Sequence, residues 1–169
     1  MENSGMGVSF RETQYFRQKW IVGVIAGITV LMWYAVIVQL LLKKPLGNNP
    51  APDFVLIIFW IVFGLIFPLF FLKLRLLTEV RDDGIYIKFV TINKDFIRIG
   101  FDEIDTCEIR KYRPIVEYGG WGVKYGSGGK AYNVSGNMGL QLKLKNGKSV
   151  LIGTQRPEEF KLAVESKIG

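Results

Sequence analysis

The chain has few of the side chains that perform chemistry in enzymes. It contains no histidine and a single cysteine, Cys107, so it lacks the commonest general base and metal ligand and has no pair of cysteines for an internal disulfide. Its acidic clusters, residues 82–83 and 102–105, fall at predicted turns, where aspartate is favoured for local hydrogen bonding. We therefore expect no enzyme activity, no catalytic residue, no metal site and no cofactor.

The stretch from Arg110 to Lys130 is the strongest candidate for a binding surface. Basic and aromatic side chains alternate there with closely spaced glycines, a mixture that suits an anionic headgroup, a phosphate or an acidic peptide. The alternative is a long twisted β-hairpin in which glycines occupy bulge positions and the aromatics cover the sheet. The candidate partner or headgroup contacts are Arg110, Lys111, Arg113, Trp121, Lys124, Tyr125 and Lys130.

Two glycine-lysine segments come close to the phosphate-loop motif without matching it. Residues 147–149 read Gly-Lys-Ser, but Leu142 stands where that motif requires a glycine. Residues 126–130 lack both the strand-to-helix setting and a serine or threonine after the lysine. Neither segment is therefore expected to form a nucleotide-binding loop.

The chain is basic, with a formal net charge of +7. The basic residues of the first half lie near the ends of apolar runs. This position favours contact with anionic headgroups over nucleic-acid binding. A lipid bilayer is the expected partner, and nucleic acid is not. These residues are Arg11, Arg17, Lys19, Lys43, Lys44, Lys73 and Arg75.

Two uncharged apolar runs predict a membrane-spanning helical hairpin. Residues 21–42 would extend about 33 Å as a helix, enough to cross a bilayer. The second run, residues 54–72, contains Pro68, which predicts a kink one turn before the helix ends. A cleavable signal peptide is the rival explanation for the first run, but the run is too long and no small-residue cleavage site follows.

A change of periodicity at Leu76 marks a domain boundary. The chain divides into a basic N-terminal segment (1–19), a two-helix anchor (20–75) and a β-rich domain (76–169). A hairpin places both termini on one side of the membrane, and the flanks on that side carry more Lys and Arg than the connecting loop. The positive-inside rule therefore predicts a multi-pass cytoplasmic-membrane protein with both termini in the cytoplasm.

Gly23 and Gly27 form a small-residue spacing within the first predicted helix. Glycines four residues apart let a second helix approach closely in a membrane. Glycine is also common in membrane helices, so the alternative is that these two residues face lipid.

From Leu76 onward the apolar pattern has a period of two, interrupted by glycine, asparagine and aspartate. This pattern predicts about seven antiparallel strands. A terminal amphipathic helix is predicted over about residues 157–168, because Pro157 suits its first turn and Phe160 and Val164 share a face. A strongly bent sheet or partial barrel capped by this helix would bury both apolar faces.

A family resemblance rests on three segments of the β-rich region. They are Gly139-Leu140-Gln141-Leu142, the turn Asn146-Gly147, and Leu151-Ile152-Gly153-Thr154-Gln155-Arg156-Pro157-Glu158-Glu159-Phe160. With seven strands, a capping helix and a two-helix anchor, the chain resembles the bacterial pleckstrin-homology-like (PH-like) membrane proteins. The resemblance implies a binding or scaffolding domain and no reaction. Inositide recognition is not implied, because the two aspartates of residues 81–84 would repel a phosphorylated headgroup.

Two function classes follow from these features. In the first, the protein presents its β-rich domain as a binding or scaffold module at the cytoplasmic membrane surface, and engages a protein or the inner leaflet through the stretch 110–130 or a sheet edge. In the second, it is an accessory subunit whose helices pair with a larger membrane complex or with a second copy. An enzyme would instead require an apolar pocket with convergent polar groups.

Overall fold

The structure is a computed structural model that describes residues 7–16, 18–92 and 94–168. The chain separates into two compact units. The helical unit comprises residues 17–73, and the β unit comprises the residues before and after it, up to Phe16 and from Leu74 onward. In the predicted basic N-terminal segment, residues 1–6 and Arg17 lie outside the described residues.

The helical unit contains two long helices. The first is α1 (Lys19–Val36) continued by a π-helix (Ile37–Leu41); the second is α2 (Asp53–Phe59), a π-helix (Trp60–Ile66) and α3 (Phe67–Lys73). By length and composition, both are long and apolar enough to cross a membrane, and only 11% of the most apolar window of each is buried. The Gln39 side chain closes the connection between them by donating to the Ala51 carbonyl at 2.7 Å.

The second long helix departs from α-helical geometry just before Pro68. Proline has no N–H to donate to the carbonyl four residues earlier and its ring crowds that carbonyl. The π-helix over Trp60–Ile66 is a common local adjustment to such a disruption. Gly64 provides the carbonyl in question, and Trp33 Nε1 donates to its oxygen at 3.3 Å.

The β unit begins with a four-stranded antiparallel sheet, sheet A, in the order β1-β2-β3-β4. The strand β1 precedes the helical unit in the chain, whereas β2 follows it, and β1 is paired with β2 along its whole length. The strands are β1 (Phe10–Tyr15), β2 (Arg75–Arg81), β3 (Gly84–Phe89) and β4 (Ile97–Gly100).

A short 3-10 turn, Phe101–Glu103, leads into a second sheet, sheet B, in the order β5-β8-β9-β7-β6. All its pairs are antiparallel except β7 with β9, which is parallel. Its strands are β5 (Ile104–Lys111), β6 (Gly122–Gly126), β7 (Gly129–Asn133), β8 (Met138–Leu144) and β9 (Ser149–Gly153). A short helix, α4 (Pro114–Tyr118), lies between β5 and β6, and α5 (Pro157–Ile168) follows β9.

The core of the β unit consists of the inward side chains of both sheets and one face of α5. Phe160 and Val164 of α5 are fully buried, and the Phe160 ring stacks on Phe10 of β1 with 4.9 Å between centroids. The other fully buried aliphatic side chains include Leu76, Val80, Ile85, Ile87, Leu140, Leu142, Leu151 and Ile152.

The observed sheets correct the predicted fold in three respects. The described residues form nine strands in two sheets, where the sequence predicted about seven strands in one bent sheet or partial barrel, and these sheets form no closed barrel. One pairing is parallel, whereas all were predicted to be antiparallel. The C-terminal helix was predicted correctly.

Strands β1 and β6 are the ones that sequence patterns missed. Two of the three inward residues of β1, Glu12 and Gln14, are polar, so no apolar alternation marks this strand. Strand β6 begins and ends in glycine, a residue that is depleted in strands. The segment 1–19 therefore contains a strand of sheet A that the sequence analysis did not anticipate.

Candidate functional site

The predicted binding stretch folds as part of sheet B and its cover. Between β5 and β6, α4 places Tyr118 on the outer face of the sheet, where it forms a buried cluster with Tyr112, Ala131 and Leu151. Burial raises the pKa of the Tyr112 phenol to about 12 and also raises the pKa of Tyr118. These two aromatics cover the sheet, as in the alternative interpretation of the stretch.

Arg110 is engaged within the β unit. Its guanidinium forms an ion pair with the Glu117 carboxylate of α4 and donates to Gln141 Oε1 at 2.9 Å. The same carboxylate accepts from the backbone N–H of Arg113 at 2.7 Å. Arg110 therefore fixes α4 against β5, and a ligand would have to displace an ion pair to reach it.

The remaining predicted contacts lie at different places on sheet B. Lys111 pairs with Met138 at one end of the sheet, whereas Lys130 pairs with Val150 near the other. The Trp121 indole is half-buried and donates to the Gly136 carbonyl at 3.1 Å. Arg113 is exposed and Lys124 is half-buried. The seven predicted residues thus do not form one surface.

Two of the seven do come together. Tyr125 of β6 and Lys130 of β7 are register partners, and the Lys130 Nζ lies 5.5 Å from the Tyr125 ring centroid and 4.9 Å from that of Tyr132. A hydrogen bond with Tyr132 raises the pKa of Lys130, so the ammonium stays charged over the physiological range. Lys130 is therefore a cation held in place by aromatic rings.

This lysine lines a cavity of about 650 Å³ between two glycine turns. We call it the two-turn pocket. One turn is the β6–β7 connection, and the other is the β8–β9 connection. The lining residues are Tyr125, Gly126, Ser127, Gly128, Gly129, Lys130, Leu144, Gly147, Lys148, Ser149 and Val150.

The parallel pairing of β7 with β9 brings the two turns together. Lys130 pairs with Val150, so Ser149 lies beside Gly129. Gly129 has a φ of +89°, and a Cβ there would stand 2.1 Å from the Ser149 carbonyl oxygen. Only glycine combines this backbone conformation with such a close approach.

The sequence did not predict that Lys148, Ser127 and Ser149 belong to one site. The segments 126–130 and 147–149 are far apart in the chain, and each lies between two strands rather than between a strand and a helix. Their proximity depends on a non-local parallel pairing, for which the local sequence contains no signal. The only indication was that both segments, 126–130 and 147–149, contain glycine, lysine and serine.

The glycine pair of the first helix has a different environment from the glycine of the second. A Cβ added at Gly23 or Gly27 would have nothing within 4 Å, whereas one at Gly64 would lie 3.5 Å from the Met32 Cβ. The two long helices therefore approach each other at Gly64. The face with Gly23 and Gly27 is open within the helical unit.

Among the described residues, no group of three or more His, Cys, Asp and Glu side chains is arranged to hold a metal ion.

Comparison with known proteins gave one match. A family model described as "Family of unknown function (DUF6141)" matches residues 1–169. No curated protein and no solved structure matches the chain.

Proposed function

The chain belongs to this family of unknown function over its whole length, and we propose that it is a membrane-anchored binding protein without enzyme activity. The helical unit is the anchor and the β unit is a binding module at the cytoplasmic membrane surface. The observation that carries the proposal is the chain path. The two apolar helices lie between β1 and β2, so the module is connected to its anchor by two adjacent strands.

The strand order supports a PH-like module. Four strands form sheet A, and β5, β8 and β9 are contiguous in sheet B and precede α5. These are seven antiparallel strands and a final helix, the number of strands that the resemblance implies, although the resemblance over residues 76–169 included β7 and did not include β1. The segment containing α4, β6 and β7 is then an insertion between β5 and β8, and it forms one side of the two-turn pocket.

The open pocket with basic and hydroxyl side chains supports binding as the module's role. It has the size of a small-molecule site and is lined by two residues of the stretch 110–130, the exposed Tyr125 and the half-buried Lys130. Arg110, by contrast, is tied to Glu117. We therefore assign ligand contact to the pocket and a structural role to Arg110.

The anchor is tested by replacing residues 17–73 with a short glycine-serine turn. Because Tyr15 and Arg75 are paired neighbours, such a turn can connect β1 to β2 directly. We expect the full chain to stay in the membrane fraction after alkaline extraction and the shortened chain to be soluble and folded. A full chain that is released by alkaline extraction would refute the anchor.

The binding role is tested by crosslinking from native membranes. We expect capture of a specific partner or ligand by the full chain, and loss of capture when Lys130 and Lys148 are both changed to glutamine. Capture that survives this change and instead requires the helices would favour the second candidate function, an accessory subunit of a larger membrane complex.

The observation that favours this second candidate is the open face at Gly23 and Gly27. Small residues there would permit close packing of another membrane helix. Gly27→Leu should abolish association through this face while leaving the hairpin intact, whereas Gly64→Leu should disturb the hairpin itself because of the Met32 contact. If Gly27→Leu has no effect on association, the accessory-subunit function is excluded at this face.

A further inference from the structure

We propose that the two-turn pocket binds the phosphate group of a small phosphorylated molecule. This inference rests on the proposed function and specifies the ligand class of the binding module. A phosphorylated lipid headgroup and a soluble phosphorylated metabolite share the required chemistry. The experiment below distinguishes these two sources.

The charge of the pocket is positive and uncompensated. Lys130 and Lys148 line it, and no Asp or Glu is among the described residues of its lining. Neither lysine forms an ion pair in the described part of the chain, whereas Arg98, Arg110 and Arg156 each do. An anion entering the pocket would therefore meet two cations that have no other counter-charge.

One carboxylate beside the pocket is directed elsewhere. Glu117 lies next to the pocket, since its backbone oxygen contacts the position where a Cβ of Gly126 would be. Its side chain, however, forms the ion pair with Arg110 and accepts from the Arg113 N–H. This arrangement keeps a negative charge from neutralising Lys130.

Hydroxyl groups add donors to the two ammonium groups. Ser127 and Ser149 both line the pocket, and within the described residues neither hydroxyl forms a side-chain hydrogen bond. A carboxylate carries one negative charge, which would balance only one of the two cations. A phosphate carries up to two negative charges and three terminal oxygens, so it matches this donor set more fully.

The glycines let the two turns that carry these donors lie next to each other. Gly129 permits the backbone of β7 to approach Ser149, and Gly147, with a φ of +80°, turns the chain immediately before Lys148. In phosphate loops the backbone at a helix N-terminus supplies part of the binding. Here both turns join strands, and the lysine side chains supply the positive charge.

The cavity is larger than a phosphate group alone requires. Its volume of about 650 Å³ is within the usual range for small-molecule sites. Leu144 and Val150 form part of its wall, and Tyr125, 76% exposed, offers an aromatic face at its rim. The ligand is therefore expected to have an organic part beside its phosphate.

The test uses the full chain in phosphorus-free maltoside micelles and inorganic phosphate as the probe, followed by ³¹P NMR line broadening. The variant Lys130→Gln/Lys148→Gln removes both pocket cations. The control Lys94→Gln/Lys143→Gln removes the same charge at two exposed lysines outside the pocket. We expect broadening with the wild type and the control, and at least about tenfold weaker binding by the pocket variant.

A second variant, Ser127→Asp, keeps both lysines and places a carboxylate at the mouth of the pocket. It should also abolish broadening, without a change in thermal stability. No broadening with the wild-type chain would overturn the proposal. Equal broadening in the pocket variant and the control would overturn it as well, since phosphate would then be bound elsewhere.

The source of the phosphate is identified by reconstituting the full chain into phosphatidylcholine vesicles with or without phosphatidate. Displacement of inorganic phosphate by phosphatidate indicates a lipid headgroup, and equal binding in both vesicles indicates a soluble ligand. Alkaline extraction of the same vesicles reports on the anchor separately. A chain that stays membrane-bound but does not bind phosphate refutes only the ligand class, whereas a chain that is extracted refutes the proposed function.

Discussion

Tyr15, the last residue of β1, pairs with Arg75, the first residue of β2, although the whole helical unit lies between them in the chain. The first helix begins at Lys19 and the last ends at Lys73, a few residues from this pair. Fully extended connections and the spacing of neighbouring strands hold those two helix ends within about 27 Å of each other. A bilayer core is about 30 Å thick, so the two ends cannot lie on opposite sides of a membrane.

This relationship predicts a hairpin topology for the proposed anchor independently of charge, and the positive-inside rule places the β unit in the cytoplasm. In a Cys107→Ser background, single cysteines at Asn48 and Lys145 report on the connecting loop and on the β unit. We expect a membrane-impermeant maleimide to label Asn48→Cys in intact cells and Lys145→Cys only after the cells are broken. Labelling of both positions from the same side would contradict the hairpin, and the reverse pattern would contradict the cytoplasmic location of the β unit.

The buried carboxylate of Glu12 predicts a strong dependence of stability on β1. Glu12 is 8% exposed and accepts hydrogen bonds from the Thr154 hydroxyl at 2.6 Å and the Gln155 N–H at 2.9 Å. Glu12→Ala leaves these donors unpaired, so we expect the free energy of unfolding of the β unit to fall by about 1–3 kcal/mol. The measurement is denaturant unfolding of the full chain in micelles, followed by circular dichroism in the β region.

The matched control for Glu12 is Glu108, an exposed carboxylate on β5. Glu108→Ala should change the free energy of unfolding by less than about 0.5 kcal/mol. If both variants lose the same stability, the loss reflects net charge rather than the link between β1 and the corner before α5.

The sequence could predict those parts of the fold that are determined by local pattern. The runs 21–42 and 54–72 correspond to helices ending at Leu41 and Lys73, and the terminal helix has the predicted bounds. Local apolar periodicity determines these elements. Strand β1 was not predicted because its inward side chains, Glu12 and Gln14, are polar and are hydrogen-bonded to a corner more than a hundred residues away. A local apolar pattern cannot indicate such a contact.

The candidate site was predictable to a smaller degree, for the same reason. The aromatic and basic composition of the stretch 110–130 identified Tyr125 and Lys130, which line the two-turn pocket. It also identified Arg110, whose guanidinium forms an ion pair with the Glu117 carboxylate. Composition cannot distinguish a lysine without a counter-ion from an arginine that has one, because the distinction depends on which strands are neighbours.

Two glycines with similar backbone conformations predict different stabilities. Gly129 and Gly147 have φ values of +89° and +80°, so alanine at either position incurs the left-handed penalty of about 1–2 kcal/mol. Only at Gly129 would the new methyl group meet backbone, at 2.1 Å from the Ser149 oxygen. We expect Gly129→Ala to lose a further 1–3 kcal/mol or so through overpacking.

Hydrogen exchange distinguishes the two alanine variants. In Gly129→Ala, residues 129–133 of β7 should lose protection because the pairing with β9 is displaced. In Gly147→Ala, protection there should be unchanged. Equal loss in both variants would indicate that the close approach at Ser149 does not constrain the pocket.

Burial of Tyr112 predicts the alkaline limit of stability. The phenol is 2% exposed, and burial raises its pKa to about 12, compared with about 10 in an unfolded chain. Between these values the unfolded state loses a proton that the folded state keeps, so stability is complete below pH 10 or so and falls as the pH rises toward 12. We expect the ionisation of Tyr112 to lower the free energy of unfolding by about 2–3 kcal/mol once the pH has reached about 12.

Tyr112→Phe removes the titrating hydroxyl and should make the stability profile less steep over that range. The measurement is the free energy of unfolding between pH 8 and pH 12 for the wild type and the variant. Tyr125→Phe is the control, because it removes a phenol hydroxyl from a side chain that is 76% exposed. Parallel profiles for the wild type and Tyr112→Phe would mean that Tyr112 ionises freely in the folded protein, and the cluster beneath α4 would then be open to water.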